Sequence, residues 1–114
     1  MIYGTTREGQ PFIPAKMMEI YLLRVLLEAQ GGFLQSHEAM DRIFDLIGSQ
    51  FVEADYDTIG DDVLRWKNNV LFARLALAND GLLRPFGDAP HGHWELTEAG
   101  LQEAYDVWAD SKAA

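Results

Sequence analysis

The sequence predicts a mainly α domain with a small β-hairpin wing, the layout of a winged helix-turn-helix. Three observations carry this. Apolar residues recur at helical spacing in four segments. After the third, two short apolar runs bracket the turn cluster Gly87-Asp88-Ala89-Pro90-His91-Gly92, as the strands of a hairpin do. With 114 residues, 48% of them hydrophobic, the chain suits one domain around one core.

Residues 1–14 carry Gly4, Gly9, Pro11 and Pro14 and read as an extended N-terminal arm, because proline removes an amide donor and disfavours helix at the residue before it. From Ala15 to Gln30, Met17, Ile20, Tyr21, Val25 and Leu26 with Leu27 recur at helical spacing, Arg24 stands four residues before Glu28, and Gly31-Gly32 supplies a stop. Phe33-Leu34-Gln35 is short and apolar enough for an edge strand. Ser36 is placed to cap a second helix from His37 to about Gly48, with Ala39, Met40, Ile43, Phe44 and Ile47 inward. Gln50 to Asp62 reads as an aspartate-rich loop, whose Asp61 and Asp62 would cap the next helix and favour its dipole.

The third helix is expected from Asp62 or Val63 to about Asn79, closed by Asp80-Gly81. Trp66, Val70, Ala73 and Leu77 define its inward stripe. Asn68, Phe72, Leu75 and Asn79 then point the opposite way, flanked by Lys67, Leu71 and Arg74. Either this helix is covered on both sides, or Phe72 and Leu75 meet a partner. Leu82 to Phe86 reads as a strand whose Pro85 suits an edge, and His93 to Thr97 alternates as the returning strand of the wing. Thr97 caps a last helix, Glu98 to about Asp110, with an inward stripe of Leu101, Ala104, Tyr105 and Trp108 and an acidic outer face. Residues 15–110 thus form the winged-helix domain, and residues 111–114 a frayed tail.

The net charge of −9 repels phosphate backbones at long range. Its distribution is uneven. From Val63 to Phe86 the charges are Arg65, Lys67, Arg74 and Arg84 against Asp80 alone, a balance of +3 that leaves −12 elsewhere. Such a segment in an acidic body is either a footprint for an anionic partner or a solvated face of mixed charge. The absence of cysteine excludes disulfides, thiolate metal sites and cysteine nucleophiles. No apolar run is long enough to span a bilayer, and the first residues lack the pattern of an export signal, so a cytoplasmic protein without membrane association is expected.

At the third helix and its hairpin, Trp66-Lys67-Asn68-Asn69-Val70, Ala73-Arg74, Gly81-Leu82-Leu83 and Gly92-His93-Trp94-Glu95-Leu96-Thr97-Glu98-Ala99-Gly100 follow in order. In order and spacing they resemble the N-terminal winged-helix domain of Mrr-type restriction endonucleases; the upstream Gly31-Gly32 and Ala54-Asp55-Tyr56 also fall where that family has similar residues, so the resemblance covers roughly residues 13–104. It implies a winged-helix DNA-binding module, here expected to stand alone without the nuclease domain. The family's third helix tends to carry further basic residues where this chain has Asn69 and Leu71, which implies a weaker phosphate grip.

The candidate DNA-binding residues are Arg65, Lys67, Asn68, Asn69, Arg74, Arg84, His91 and His93, on the third helix and the wing. Arginine suits guanine edges and phosphates by its two-pronged geometry, and asparagine suits adenine. Arg74 has the alternative of an ion pair with Asp80 or with the last helix. Each phosphate contact would contribute about −0.9 to the salt slope, so four give modest binding. His91 and His93 could join Asp88 or Glu95 at a metal only if the wing folded back on itself, and no metal or other cofactor is expected. Asp110-Ser111-Lys112 is the nearest local pattern to a metal nuclease, in a tail with no partner strand, and an enzyme is not expected. Two functions remain: a module reading duplex DNA, or an acidic adaptor or homodimer that keeps the fold and binds protein.

Overall fold

The hydrophobic periodicities place helix α1 (Ala15–Glu28) at the centre of the molecule, packed against α3 (Arg65–Asn79), α4 (Glu98–Ala113) and α2 (Ser36–Ile47). The computed structural model describes residues 1–85 and 92–113, with side chains as far as Ala109. Contact with three helices widens the buried surface of α1 beyond one stripe. Met18, Leu22, Leu23, Val25 and Leu26 are buried, whereas Met17, Ile20 and Tyr21 are only half-buried. None of the helices is long and apolar enough to cross a membrane among the described residues.

Residues 1–14 are not a free arm. Strand β1 (Gly4–Thr5) pairs antiparallel with β2 (Pro11–Phe12), and Ile13 then enters the core, fully buried. Its amide donates to Asp55 Oδ1 at 2.8 Å and its carbonyl accepts from Asn69 Nδ2 at 3.0 Å. Asp55 Oδ2 accepts from the Val52 amide at 2.9 Å. A fully buried carboxylate thus strings the N-terminal strap to the short 3-10 turn Glu53–Tyr56, where the sequence suggested only a loop. A buried charge is tolerable when amide donors surround it, and here two of them do.

Helix α2 begins at Ser36 itself rather than after it. The Glu38 carboxylate reaches back to the Gln35 amide at 3.2 Å, satisfying a donor at the helix start. Ala39, Ile43 and Ile47 are buried as expected, but Phe44 lies half-open on the rim, its ring edge-on to Phe51 and tilted against Trp66 at centroid distances of 5.7 and 5.8 Å. Asp61 and Asp62 do not cap α3. They occupy the turn between β4 (Thr58–Ile59) and β5 (Val63–Leu64), where Gly60 and Asp62 both have positive φ, and α3 starts only at Arg65. Along α3 the expected inward stripe is correct, with Trp66, Val70, Ala73 and Leu77 all buried.

The hairpin expectation needs correction. Strand β6 (His93–Glu95) pairs antiparallel with β3 (Phe33–Gln35), Leu34 opposite Trp94, while the Leu82 segment adds only one bridge, Leu83 to Leu96. The Arg84 amide donates to the Glu95 carbonyl and the Thr97 amide to the Leu82 carbonyl, so β6 is flanked on both sides. Pro85, lacking an amide donor, follows where the pairing ends. The turn cluster from Gly87 to His91 lies outside the described residues.

Thr97 caps α4 as its position suggested: its hydroxyl accepts from the Gly100 amide at 3.0 Å and donates to the Gly81 carbonyl at 2.6 Å. Gly100 is demanded by this junction, since a Cβ there would collide with the Leu82 carbonyl. The helix continues to Ala113, so residues 111–113 belong to it instead of to a tail. Of its expected stripe, Ala104 is buried and Trp108 half-buried, its indole donating to the Ile20 carbonyl at 3.1 Å, but Leu101 and Tyr105 face outward.

Candidate functional site

The eight residues expected to hold DNA do not form one basic surface. Arg65 is half-buried at the start of α3, its Nε donating to the Ala54 carbonyl at 3.1 Å and its guanidinium lying 5.5 Å from the Phe12 ring centroid. Asn69, one turn on, spends its amide on Ile13. Both residues therefore serve to hold the strap against α3. Arg84 is paired with Glu95 across the strand contact, which neutralises its charge locally. His93 stacks on Phe33, ring centroids 4.9 Å apart and planes 28° from parallel, so its ring lies on the β3–β6 pair. His91 lies outside the described residues.

Three candidates remain on or beside the outer face of α3. Lys67 is exposed, with its ammonium 5.6 Å from the Trp66 ring centroid. Asn68 is half-buried and shares a face with Phe72 and Leu75 by its spacing of four and seven. Arg74 is half-buried on the flank.

What the outer face of α3 does present is apolar. Leu71, Phe72 and Leu75 are 44%, 55% and 50% exposed, and Leu75 adjoins both Leu71 and Phe72, at spacings of four and three. The inward stripe of Trp66, Val70, Ala73 and Leu77 already uses the opposite side, so rotating the helix to hide Phe72 would expose the core. Scattered single apolar residues on a surface mean little, but a contiguous group on one helix marks an interaction site. The sequence pattern itself pointed to Phe72 and Leu75. It gave no sign that Asp55, among the many acidic residues of its segment, is the one drawn into the core.

Among the described residues, no three histidine, aspartate or glutamate side chains gather as a metal site. Shallow recesses lined by described residues include one between α1 and α4, walled by Leu27, Tyr105, Asp106, Trp108 and Ala109. None brings a nucleophile together with a base. Comparison with known proteins finds no family model, no curated protein and no solved structure that matches this chain.

Proposed function

We propose that this chain is a winged-helix module that recognises another protein through the outer face of α3. Support for the winged-helix half comes from order and pairing. The helices α1, α2 and α3 are followed by the Leu83 bridge and β6, and β6 lies between that bridge and β3. Such a scaffold presents its third helix to a partner.

The observation that carries the protein-binding half is the exposed group of Leu71, Phe72 and Leu75 at the place where a DNA reader would show polar and basic side chains. The engagement of Arg65, Asn69 and Arg84 with Ala54, Ile13 and Glu95 removes much of the phosphate grip expected of that helix and the wing. Net charge −9 adds long-range repulsion.

A second reading, binding of duplex DNA, is favoured by Lys67 and Asn68 on or beside the outer face and by the +3 segment that contains them. Fluorescence anisotropy of a labelled random duplex, titrated across salt, separates the two. Protein recognition predicts no binding beyond a weak, non-specific level at low salt. Tight binding that falls steeply with salt, loses about one phosphate of slope in Lys67→Ala and is unaffected by Phe72→Ser would overturn it.

A further inference from the structure

We infer that the recess where α1, α3 and α4 meet binds a primary alkylammonium group, the chemistry shared by a lysine side chain and a free aliphatic amine. The recess has a volume of about 260 Å³ and shares no lining residue with the exposed apolar group on α3. Leu23 of α1, Leu77 of α3, Val107 of α4 and Leu82 supply its apolar lining. Leu23 and Leu77 belong to the core and Val107 is 36% exposed, so the lining runs from buried side chains out to open ones. A concave apolar surface of this kind takes up an aliphatic stem while a polar head stays at the rim.

The charged residues lining the recess are Glu19, Asp80 and Glu103 against Lys16, so each of the three helices brings a carboxylate to it. Glu19 is the most withdrawn, its side chain 14% exposed, and its ion-pair partner is Lys16 at 3.8 Å. Lys16 is itself 85% exposed, which leaves the apolar lining uncovered. Asp80 and Glu103 form no ion pair among the described residues. Asp80 also stands at the C-cap of α3, whose last turn holds no basic residue, so its charge adds to the negative end of the helix dipole. A cation seated beside it relieves both. A metal ion does not suit the place, because the three carboxylates do not gather as a metal site. Spread around an apolar recess, they match an ammonium with three donors at the end of a flexible carbon chain.

Titration of the isotope-labelled chain, followed by amide chemical shifts, tests this with three probes: n-hexylamine, n-hexanol and the peptide acetyl-Ala-Ala-Lys-Ala-Ala-amide. Hexylamine is expected to move the amides of Leu23, Leu77, Leu82 and Val107 saturably, and the uncharged hexanol to bind about tenfold more weakly. Asp80→Asn and Glu103→Gln should each weaken the amine roughly two- to fivefold, the range of an exposed ion pair. Val107→Phe fills the recess with every carboxylate left in place and should abolish saturable binding, which separates a site from the general attraction of a cation to a chain of net charge −9. If circular dichroism shows that variant misfolded, Val107→Lys, which supplies the ammonium from within the chain, takes its place with the same expected loss. Tighter binding of the peptide than of hexylamine identifies a protein's lysine as the ligand, and the reverse order a free amine. No saturable shift up to about 20 mM hexylamine, hexanol binding as tightly as the amine, or unchanged binding in the Val107 variants overturns the inference.

Discussion

Replacing Asp55 with alanine removes the one fully buried charged side chain among the described residues, and with it both acceptors that hold the strap to the 3-10 turn. Hydrogen bonds from an amide to a charged group are worth about 1.5–3 kcal/mol each. The Ile13 amide, fully buried, would lose its partner with no access to water. The Val52 amide is half-buried and recovers part of its loss by hydration. The sum is about 3–4 kcal/mol, reduced a little because the variant no longer has to bury a carboxylate. With a urea dependence of about 1–3 kcal/mol per molar for a domain of this size, the unfolding midpoint should fall by roughly 1.5–2 M. Amide exchange at Ile13 should accelerate further than in α1, because the strap loses its anchor while the helical core persists. Asp55→Asn, which keeps one acceptor but turns an amide group toward the other donor, should fall between the two. An Asp55→Ala midpoint within experimental error of wild type would refute the reasoning and place the strap's attachment elsewhere.

Other perturbations test neighbouring parts of the fold. Trp94→Ala empties a buried site opposite Leu34 on the β3–β6 pair and should cost about 3–5 kcal/mol in chemical denaturation. Gly100→Ala gains up to about 1 kcal/mol of helix propensity but drives a methyl into the Leu82 carbonyl, at a cost of about 1–3 kcal/mol in forced movement. A net loss of thermal stability is expected, and a gain would mean that α4 does not approach Leu82 so closely. Phe72→Ser, on the open face, should leave the unfolding midpoint within about 0.5 kcal/mol of wild type, and a larger fall would show that Phe72 is covered within the chain.

How far the fold could be read from the residues depended on the range of the interaction that decides each part. The inward stripe of α3 follows from the helical period alone, and the Thr97 cap and the short strand Phe33–Gln35 are local signals too. Long-range pairing has no such signature. Alternation along His93–Glu95 announces a strand, but not that it pairs mainly with Phe33–Gln35, some sixty residues earlier, while the nearer Leu82 segment adds one bridge. The prolines of residues 1–14 correctly indicate extended chain. That this chain is tied down depends on Asp55, 42 residues beyond Ile13, and on Asn69, 56 residues beyond it. The period of α4 admits Leu101 and Tyr105 to its inward stripe, yet its contact with α1 is narrow enough that, of the four expected stripe residues, only Ala104 is buried and Trp108 half-buried. For the candidate site the same distinction holds: the exposed apolar residues were legible from helical phase, whereas the partners that engage Arg65, Asn69 and Arg84 come from other elements.

The recognition role of α3 is tested most directly by a photo-crosslink from its centre. Phe72→benzoylphenylalanine keeps an aromatic side chain at the exposed position, and irradiation in living cells traps whatever touches it. The account predicts a discrete adduct that survives nuclease and is removed by protease, absent when the same group is placed at exposed Thr5 on the strap. A nuclease-sensitive adduct, or none at position 72, would contradict the claim that α3 binds protein.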